Sequence, residues 1–158
     1  MPSDYYLKID NIEGESQDRD HAGEIEIDGF SCGVSNEGSR HGGKGGGKGR
    51  AHVQDFSITK YMDKSSKNLF QYCALFTDIP EAVISCYKAG GEQRVKYLEV
   101  KLKQVSVADY QFSGSGGGLA IEQVMLNFAE ITFIYTLQGT DQAKGESAEF
   151  TYSTTEHL

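Results

Sequence analysis

The alternation of apolar and polar residues with a period of two is the feature that most restricts the fold of this chain. It is clearest in GEIEIDGFSCGVS (Gly23–Ser35), where Ile25 and Ile27 alternate with polar residues. A second apolar set, beginning at Phe30, resumes one position out of phase, and the slip falls on the Asp-Gly pair that ends at Gly29. A period of two indicates a β-strand, and a slip at a glycine predicts a bulge or sharp bend, as at the corner of a barrel.

Segments with the same alternation recur along the chain and predict further strands. They are Tyr5–Ile9, Ala51–Met62, two strands within Ala82–Val107 joined by the loop KAGGEQ, and the closing segment Ser147–Thr154. In the second of them, Phe56, Ile58 and Lys60 share one face. The glycine-rich stretch SGSGGG predicts another connection between strands.

The segment Ala120–Leu137 is predicted to be the longest strand, and both of its faces carry apolar residues. One face carries Met125, Ile131, Phe133 and Tyr135, and the other carries Val124, Leu126, Phe128 and Ile134. A strand that is apolar on both faces is buried on both. We therefore expect one face to pack on the core and the other to pack on a helix or another subunit.

One helix is predicted, within DKSSKNLFQYCALFTDIP. Its apolar stripe has the spacing i, i+3, i+4 and i+7 and consists of Leu69, Tyr72, Cys73 and Phe76. Ser65 or Ser66 is available as the N-cap, and Pro80 follows the end of the helix. The stripe is expected to pack on the chain's own sheet, and a partner's groove is the alternative.

Together these elements predict a mainly β protein. The expected fold is a single-domain antiparallel β-barrel, formed by two packed sheets, with about eight strands and one flanking α-helix. A chain of 158 residues has the length of one ordinary domain, so residues 1–158 are expected to form one unit.

The charge of the chain argues against two classes of partner. It has 15 Lys and Arg residues against 23 Asp and Glu residues, which gives a formal net charge of −8, and such a charge repels nucleic acids and anionic membranes. No apolar run approaches the about 20 residues of a membrane span, and the start MPSDYYLKID lacks the layout of a secretory signal. We expect no nucleic-acid partner, no membrane insertion, and folding in the cytosol.

No pattern of reactive residues predicts an enzyme, a cofactor or a metal site. Cys32, Cys73 and Cys86 include no C-x-x-C pair, and the four histidines do not pair at metal-binding spacing. No serine lies in a G-x-S-x-G elbow. The three cysteines are therefore expected to be small buried apolar residues.

The segment HGGKGGGKGR (His41–Arg50) is similar to a phosphate-binding loop. It matches the pattern G-x-x-x-x-G-K with Lys48 as the lysine, but the next residue should be Ser or Thr and is Gly49. A phosphate-binding loop opens into a helix, whereas the segment that follows, Ala51–Met62, has a strand pattern. We therefore predict a connection between strands, with a nucleotide-binding protein as the less favoured alternative.

Taken together, four segments resemble the haemolysin-coregulated proteins (Hcp) of type VI secretion systems. They are YYLKIDNIEGESQDRDHAGEIEI, AHVQDFSITKYMDKSSKNLF, YKAGGEQRVKYLEVKLKQVSV and LNFAEITFIY, in this order between Tyr5 and Leu137. The most specific pieces are GES at Gly14–Ser16, VQDFSITKYMDK at Val53–Lys64 and KAGGE at Lys88–Glu92.

The resemblance implies a β-barrel that assembles head to tail into hexameric rings, which stack as the inner tube of a contractile injection device. The implied partners are other copies of the chain, the sheath and tip proteins of the apparatus, and secreted effectors held in the ring lumen. The protein would leave the bacterial cytoplasm through the apparatus without a signal peptide and would not be an enzyme. An intracellular β-barrel binding module is the alternative.

The resemblance also implies a role for the stretch around Ser31. Where many members of the family have Trp-Ser-Trp-Gly, this chain has Phe30, Ser31, Cys32 and Gly33. Phe30 and Cys32 are then expected on the core face, and Ser31 on the opposite face, which would be the cargo-facing lumen wall.

Two other regions acquire expected roles from the resemblance. The extended Gly-rich loop 36–50 would project toward the next ring, which makes Lys44, Lys48 and Arg50 candidates for ring stacking. The strand face with Met125, Ile131, Phe133 and Tyr135 becomes a candidate subunit interface, since every subunit of a head-to-tail ring must bury a patch on each side. An enclosed monomeric barrel is the competing interpretation, and the tail 139–158 departs from the family.

Overall fold

The structure, a computed structural model, describes residues 4–38, 50–88, 94–137 and 146–154, and strands account for most of them. The strands are β1 (Tyr5–Ile9), β2 (Ile25–Ile27), β3 (Gly29–Ser31), β4 (Val34–Asn36), β5 (Ala51–Val53), β6 (Phe56–Tyr61), β7 (Ile79–Lys88), β8 (Val95–Ser113), β9 (Ile121–Asn127), β10 (Glu130–Thr136) and β11 (Ser147–Ser153), and the helix is α1 (Ser66–Leu75). The predicted mainly β fold with one helix is confirmed. Within these ranges no helix has the length and apolar character needed to cross a membrane.

Strand β8 belongs to both sheets of the barrel. Its first half lies between β7 and β10 in a sheet with the order β2-β1-β7-β8-β10-β11, and its second half pairs with β9 in a sheet with the order β8-β9-β6-β3. Gln104 lies at the junction with a φ of 52°, a left-handed backbone that turns the strand from one sheet into the other. All the pairings are antiparallel, as expected.

The bend predicted at the Asp-Gly pair is confirmed and forms a corner of the barrel. Strand β2 pairs with β1 in the first sheet, whereas β3 pairs with β6 in the second. Asp28 lies between them, and its N–H donates to the carbonyl of Thr59 at 2.8 Å. The slip in the apolar pattern therefore marks the point where the chain changes sheets.

The prediction that Ala120–Leu137 is one strand, and the longest, is wrong. It forms β9 and β10, which lie in different sheets, and β8 is the longest strand among the described residues. The chain turns at buried Phe128 and at Ala129, whose N–H donates to the carbonyl of Lys103 at 3.0 Å. The two apolar faces read from the sequence thus belong to two strands with separate surroundings.

The predicted strand Ala51–Met62 is also interrupted, by a bulge at Gln54. Ser31 pairs with Ser57 and Val34 with Val53, and the Gln54 N–H donates to the carbonyl of Gly33 at 2.8 Å. Strands β3, β4, β5 and β6 therefore form one two-stranded ribbon with a bulge, which we call the ribbon. Its far end adjoins residues 39–49, which lie outside the described residues.

Helix α1 covers one side of the barrel with the apolar stripe that was predicted, apart from its last member. Leu69 is fully buried, and Tyr72 and Cys73 are packed against the core. Phe76 is 59% exposed because the helix ends at Leu75, and Phe76 takes the left-handed C-cap conformation with a φ of 50°.

The cysteines do not share one environment. Cys86 is fully buried, as expected, and burial raises the pKa of its thiol to about 12. Cys73 is partly buried against the core. Cys32 is exposed because strand β3 ends at Ser31, so the expectation that it is a buried core residue is wrong.

A buried ion pair occupies the core face of β6. Lys60 is 0% exposed, pairs in register with Glu122 of β9, and binds the Glu122 carboxylate, which is also buried. The Lys60 ammonium lies 3.0 Å from an oxygen of Asp63, and the hydroxyl of Tyr110 in β8 donates to the other Glu122 oxygen. We call Lys60, Asp63, Tyr110 and Glu122 the ion-pair cluster.

The ion-pair cluster also fixes the start of α1. An Asp63 carboxylate oxygen accepts the N–H of Ser65 at 2.8 Å, and the Asp63 N–H donates to the hydroxyl oxygen of Ser66 at 3.0 Å. Ser65 lies at the N-cap position but makes no side-chain cap hydrogen bond. The ring of Phe70 packs edge-on against Tyr110, with centroids 6.0 Å apart. Three strands and the helix therefore meet at one set of charges.

We expect Lys60→Met to lower the free energy of unfolding by about 3–5 kcal/mol, because the buried Glu122 carboxylate would lose its partner. The double variant Lys60→Met with Glu122→Leu should recover much of that loss, since no charge would remain buried. Urea denaturation at one fixed protein concentration measures both. Lys103→Met breaks an exposed pair with Glu130 and should change the free energy by less than about 1 kcal/mol. A Lys60→Met variant as stable as this control would contradict the expectation.

Gly14, in the GES piece, has backbone against it where a side chain would lie. An added Cβ would lie 2.4 Å from the carbonyl oxygen of Glu24 and 2.7 Å from the Cα of Ile25. We expect Gly14→Ala to destabilise the protein by about 1–3 kcal/mol through this overlap. Gly29→Ala is the matched control, because nothing lies within 4 Å of its added Cβ. Equal midpoints of thermal unfolding for the two variants would contradict the prediction.

Candidate functional site

An apolar groove opens between the ribbon and strands β10 and β11. It has a volume of about 420 Å³, and its lining is almost entirely apolar. Its walls include Phe30, Cys32, Val53, Ile131, Phe133 and Phe150.

The floor of the groove is made by stacked aromatic rings. Phe30 packs on Phe56 with ring centroids 5.6 Å apart and nearly parallel planes, and it meets Tyr5 edge-on at 5.2 Å. This confirms that Phe30 faces the core. Cys32 lies at the mouth of the groove, with its Sγ 3.6 Å from the carbonyl oxygen of Gln54. Partial desolvation raises the pKa of the Cys32 thiol, so it stays protonated at neutral pH.

The rim of the groove leaves large apolar side chains in solvent. Phe133 and Phe150 are register partners in β10 and β11 and are 49% and 65% exposed. Val34, across the groove on β4, is 67% exposed. A group of exposed apolar side chains around one groove is typical of a contact surface.

The structure brings together three of the four residues predicted for a shared strand face. Ile131 and Phe133 line the groove, and Tyr135 follows them on the same face of β10. Met125 does not join them, because it lies on β9 in the other sheet, where it pairs with Ser57. The prediction of one common face is therefore wrong for Met125.

Ser31 is exposed on the outer face of the second sheet, opposite to the face that carries Phe30. Its register partner is Ser57, and Gln123 on β9 donates to the Ser57 hydroxyl at 3.5 Å. Thr59 and Met125 share this outer face by alternation. We call it the polar sheet face, a surface of mainly uncharged polar groups.

Of the loop residues proposed for stacking, only Arg50 is among those that the structure describes. It is exposed at the start of β5. Lys44 and Lys48 lie outside the described residues. The segment after this loop is a strand, as predicted, and does not supply the helix that a phosphate-binding loop requires.

A cluster at His21, which the sequence did not predict, ties the segment between β1 and β2 to the barrel. The His21 ring lies 2.5 Å from the Tyr87 hydroxyl through Nε2 and 2.9 Å from the Glu24 carboxylate through Nδ1. It also stacks on Tyr6 at 4.5 Å. Burial raises the pKa of Tyr87, which keeps its hydroxyl protonated and makes it a poor nucleophile. The arrangement therefore suits holding a loop in place rather than catalysis.

Arg94 closes this cluster from the start of β8. Its guanidinium lies over the Tyr87 ring at 4.7 Å and donates to Asp18 at 2.5 Å. Burial opposes ionisation of Asp18, but hydrogen bonds from the Asp20 backbone, Tyr6 and Arg94 outweigh it and lower the pKa of that carboxyl. Among the described residues no three His, Cys, Asp or Glu side chains are grouped to hold a metal ion.

Comparison with known proteins assigns the family. The sequence profile of the family described as "Type VI secretion system effector, Hcp" matches residues 6–135. Protein hcp1 of Pseudomonas aeruginosa is 45% identical over 145 residues, which cover 91% of this chain and 90% of that protein.

Solved structures agree with the sequence match. A structure described as a type six secretion system protein has a TM-score of 0.88 at 28% identity and covers 96% of this chain and 95% of its own. Hcp1 from Salmonella typhimurium has a TM-score of 0.81 at 32% identity, and the match covers 98% of this chain and 96% of that protein. The chain therefore belongs to the Hcp family of type VI secretion proteins.

Proposed function

We propose that this protein forms the inner tube of a type VI secretion system. Copies join head to tail into hexameric rings, the rings stack, and the tube leaves the bacterial cytoplasm with effectors in its lumen. Besides family membership, the observation that carries the proposal is the apolar groove with Phe133 and Phe150 exposed at its rim. The sheath and tip proteins of the apparatus are the further partners that this function implies.

A head-to-tail ring requires two different surfaces on each subunit, because the contact is heterologous. The groove supplies one. The other is offered by α1, where Phe70, Leu75 and Phe76 are all exposed. The two surfaces lie on different elements. One copy's groove can therefore bind the helix of a second copy while its own helix stays free to bind a third. This arrangement favours a ring over the enclosed monomeric barrel.

The chemistry of the polar sheet face suits the role of the cargo-facing wall of the lumen. Ser31, Ser57, Thr59 and Gln123 are uncharged hydrogen-bonding groups on one continuous surface. Such a surface stays hydrated and can still bind varied polypeptides weakly, which suits cargo that must be released. Met125 is then reassigned from the subunit interface to this wall.

The central test of the proposal is a substitution at the groove, Phe133→Glu. A charge placed in the ring contact should raise the dissociation constant of the ring about tenfold or more, measured by analytical sedimentation. The wild type should reach the medium only when the secretion apparatus is intact, and the variant should stay in the cell. Phe133→Leu keeps an apolar group and should keep both properties. A wild-type protein that stays monomeric at high concentration, or a variant that forms rings normally, would contradict the proposal.

A second prediction concerns the lumen wall. Ser31→Arg should leave ring sedimentation unchanged, because Ser31 is exposed and away from the groove, but should change the amount of effector secreted with the tube several-fold. Gln17→Arg, an exposed change of equal charge in the segment between β1 and β2, is the control. Quantitative immunoblotting of the medium measures the result. Unchanged effector secretion in the Ser31 variant would remove this residue from the proposed cargo surface.

A further inference from the structure

An exposed apolar patch lies at one end of the polar sheet face. Tyr61 ends β6 and Ile121 begins β9, and these register partners are both half-exposed. The strongly exposed Leu119 lines a cleft together with Tyr61. The Met62 N–H donates to the carbonyl of Ala120 at 2.9 Å, which extends the pairing beyond both strands and fixes the backbone next to Leu119. We call Tyr61, Leu119 and Ile121 the apolar end, and such a group of neighbouring exposed apolar side chains is typical of a contact surface.

The apolar end continues the polar sheet face. Tyr61 follows Thr59 by two residues in β6, and Ile121 precedes Gln123 by two residues in β9. Side chains two residues apart in a strand point to the same side of the sheet. A polypeptide bound on the polar sheet face can therefore reach the apolar end without leaving that surface.

The usual polarity of a half-buried sheet is inverted at this step of the ladder between β6 and β9. The register pair Lys60 and Glu122 is buried in the core, whereas the next pair, Tyr61 and Ile121, faces solvent. Burying two charges costs desolvation free energy, and leaving two large apolar side chains in water forgoes the stabilisation that burial supplies. The fold itself gains nothing from exposing this apolar pair, and a ligand that covers the pair would recover that stabilisation.

The size of the apolar end fits a short polypeptide segment. A stable contact between two folded proteins buries about 800 Å² on each partner, which three partly exposed side chains cannot supply. One or two apolar side chains of an extended segment match this size. The rest of such a segment can form hydrogen bonds with Thr59 and Gln123 on the polar sheet face.

The surroundings of the apolar end are negatively charged. Glu26 and Asp28 line the adjacent cleft, and Asp109 lies on the polar sheet face as the register partner of Met125. Among the described residues, neither the lining of that cleft nor the positions of β3, β6, β9 and the second half of β8 that alternate onto this face include a lysine or an arginine. A surface with one sign of charge attracts ligands of the opposite sign. The segment that fits best therefore carries basic residues beside its apolar side chain.

We infer that the apolar end is the part of the cargo wall that binds an apolar side chain of the effector, within a segment that carries basic residues. The inference rests on the proposed function and names the chemical class of cargo. The polar sheet face supplies weak hydrogen bonds along the segment, and the apolar end fixes its position. Because each subunit of a ring carries one apolar end, a cargo with several such segments binds more tightly than a cargo with one.

Binding of synthetic peptides to assembled wild-type rings, followed by fluorescence anisotropy, tests the inference. The peptides are short labelled chains of glycine and serine that also carry leucine and lysine, leucine and glutamate, or lysine alone. The leucine–lysine peptide should bind about tenfold more tightly than either of the others, because only it matches both the apolar surface and the charge. Its affinity should fall as salt rises from about 0.1 M to 1 M, since the charges are then screened.

A variant of the ring locates the binding site. Leu119→Ser with Ile121→Thr should lower the affinity for the leucine–lysine peptide about tenfold and leave ring formation, measured by sedimentation, unchanged. Threonine at position 121 keeps a β-branched residue in the strand. Phe112→Ser is the matched control, because Phe112 is exposed but pairs in register with buried Glu122 and so lies on the opposite face of the sheet.

Three results would overturn the inference while leaving the proposed function standing. Rings of the double variant could bind the leucine–lysine peptide as tightly as the wild type, or wild-type rings could bind all three peptides alike. The double variant could also lose ring stacking while peptide binding stays normal, which would make the apolar end a contact between copies. Failure of the wild type to form rings would instead remove the proposed function, and the inference with it.

Discussion

The buried contact between Lys60 and Glu122 is the constraint on which the barrel depends. A lysine on the core face of a strand is tolerated only where its charge is matched, and here the match fixes β6 against β9 at one register. The same ammonium holds Asp63, which sets where α1 begins, and Glu122 holds Tyr110, against which the helix packs. Slipping either strand by one residue would turn its own charged side chain to the outer face and leave the other charge buried without a partner.

Alternation made the strands predictable, and its interruptions revealed one corner but concealed another. The slip at Asp28 was visible because a glycine accompanies it, and the predicted bend is confirmed. The turn at Phe128 and Ala129 has no glycine or proline, so β9 and β10 read as one strand. At Gln104 a positive φ turns β8 from one sheet into the other, and no local residue pattern predicts it. The turns at Phe128 and Gln104 are set by pairing with strands that are far away in the sequence.

The candidate functional surfaces were predictable to the extent that each lies on one strand. Ile131, Phe133 and Tyr135 alternate on β10, and the sequence grouped them correctly. Met125 was misplaced because the grouping assumed a continuous strand. The ion-pair cluster joins residues far apart in the sequence, so it could not be predicted from spacing. Lys60 within an apolar alternation was the one local signal of the cluster.

The ribbon has a mechanical consequence. Strands β5 and β6 follow one another along the ribbon from Ala51 to Tyr61 and pair with β4 and β3. Antiparallel hydrogen bonds lie across that direction. A force that slides the two chains of the ribbon past each other therefore loads many of these bonds at once, whereas a force that peels the chains apart opens them one after another.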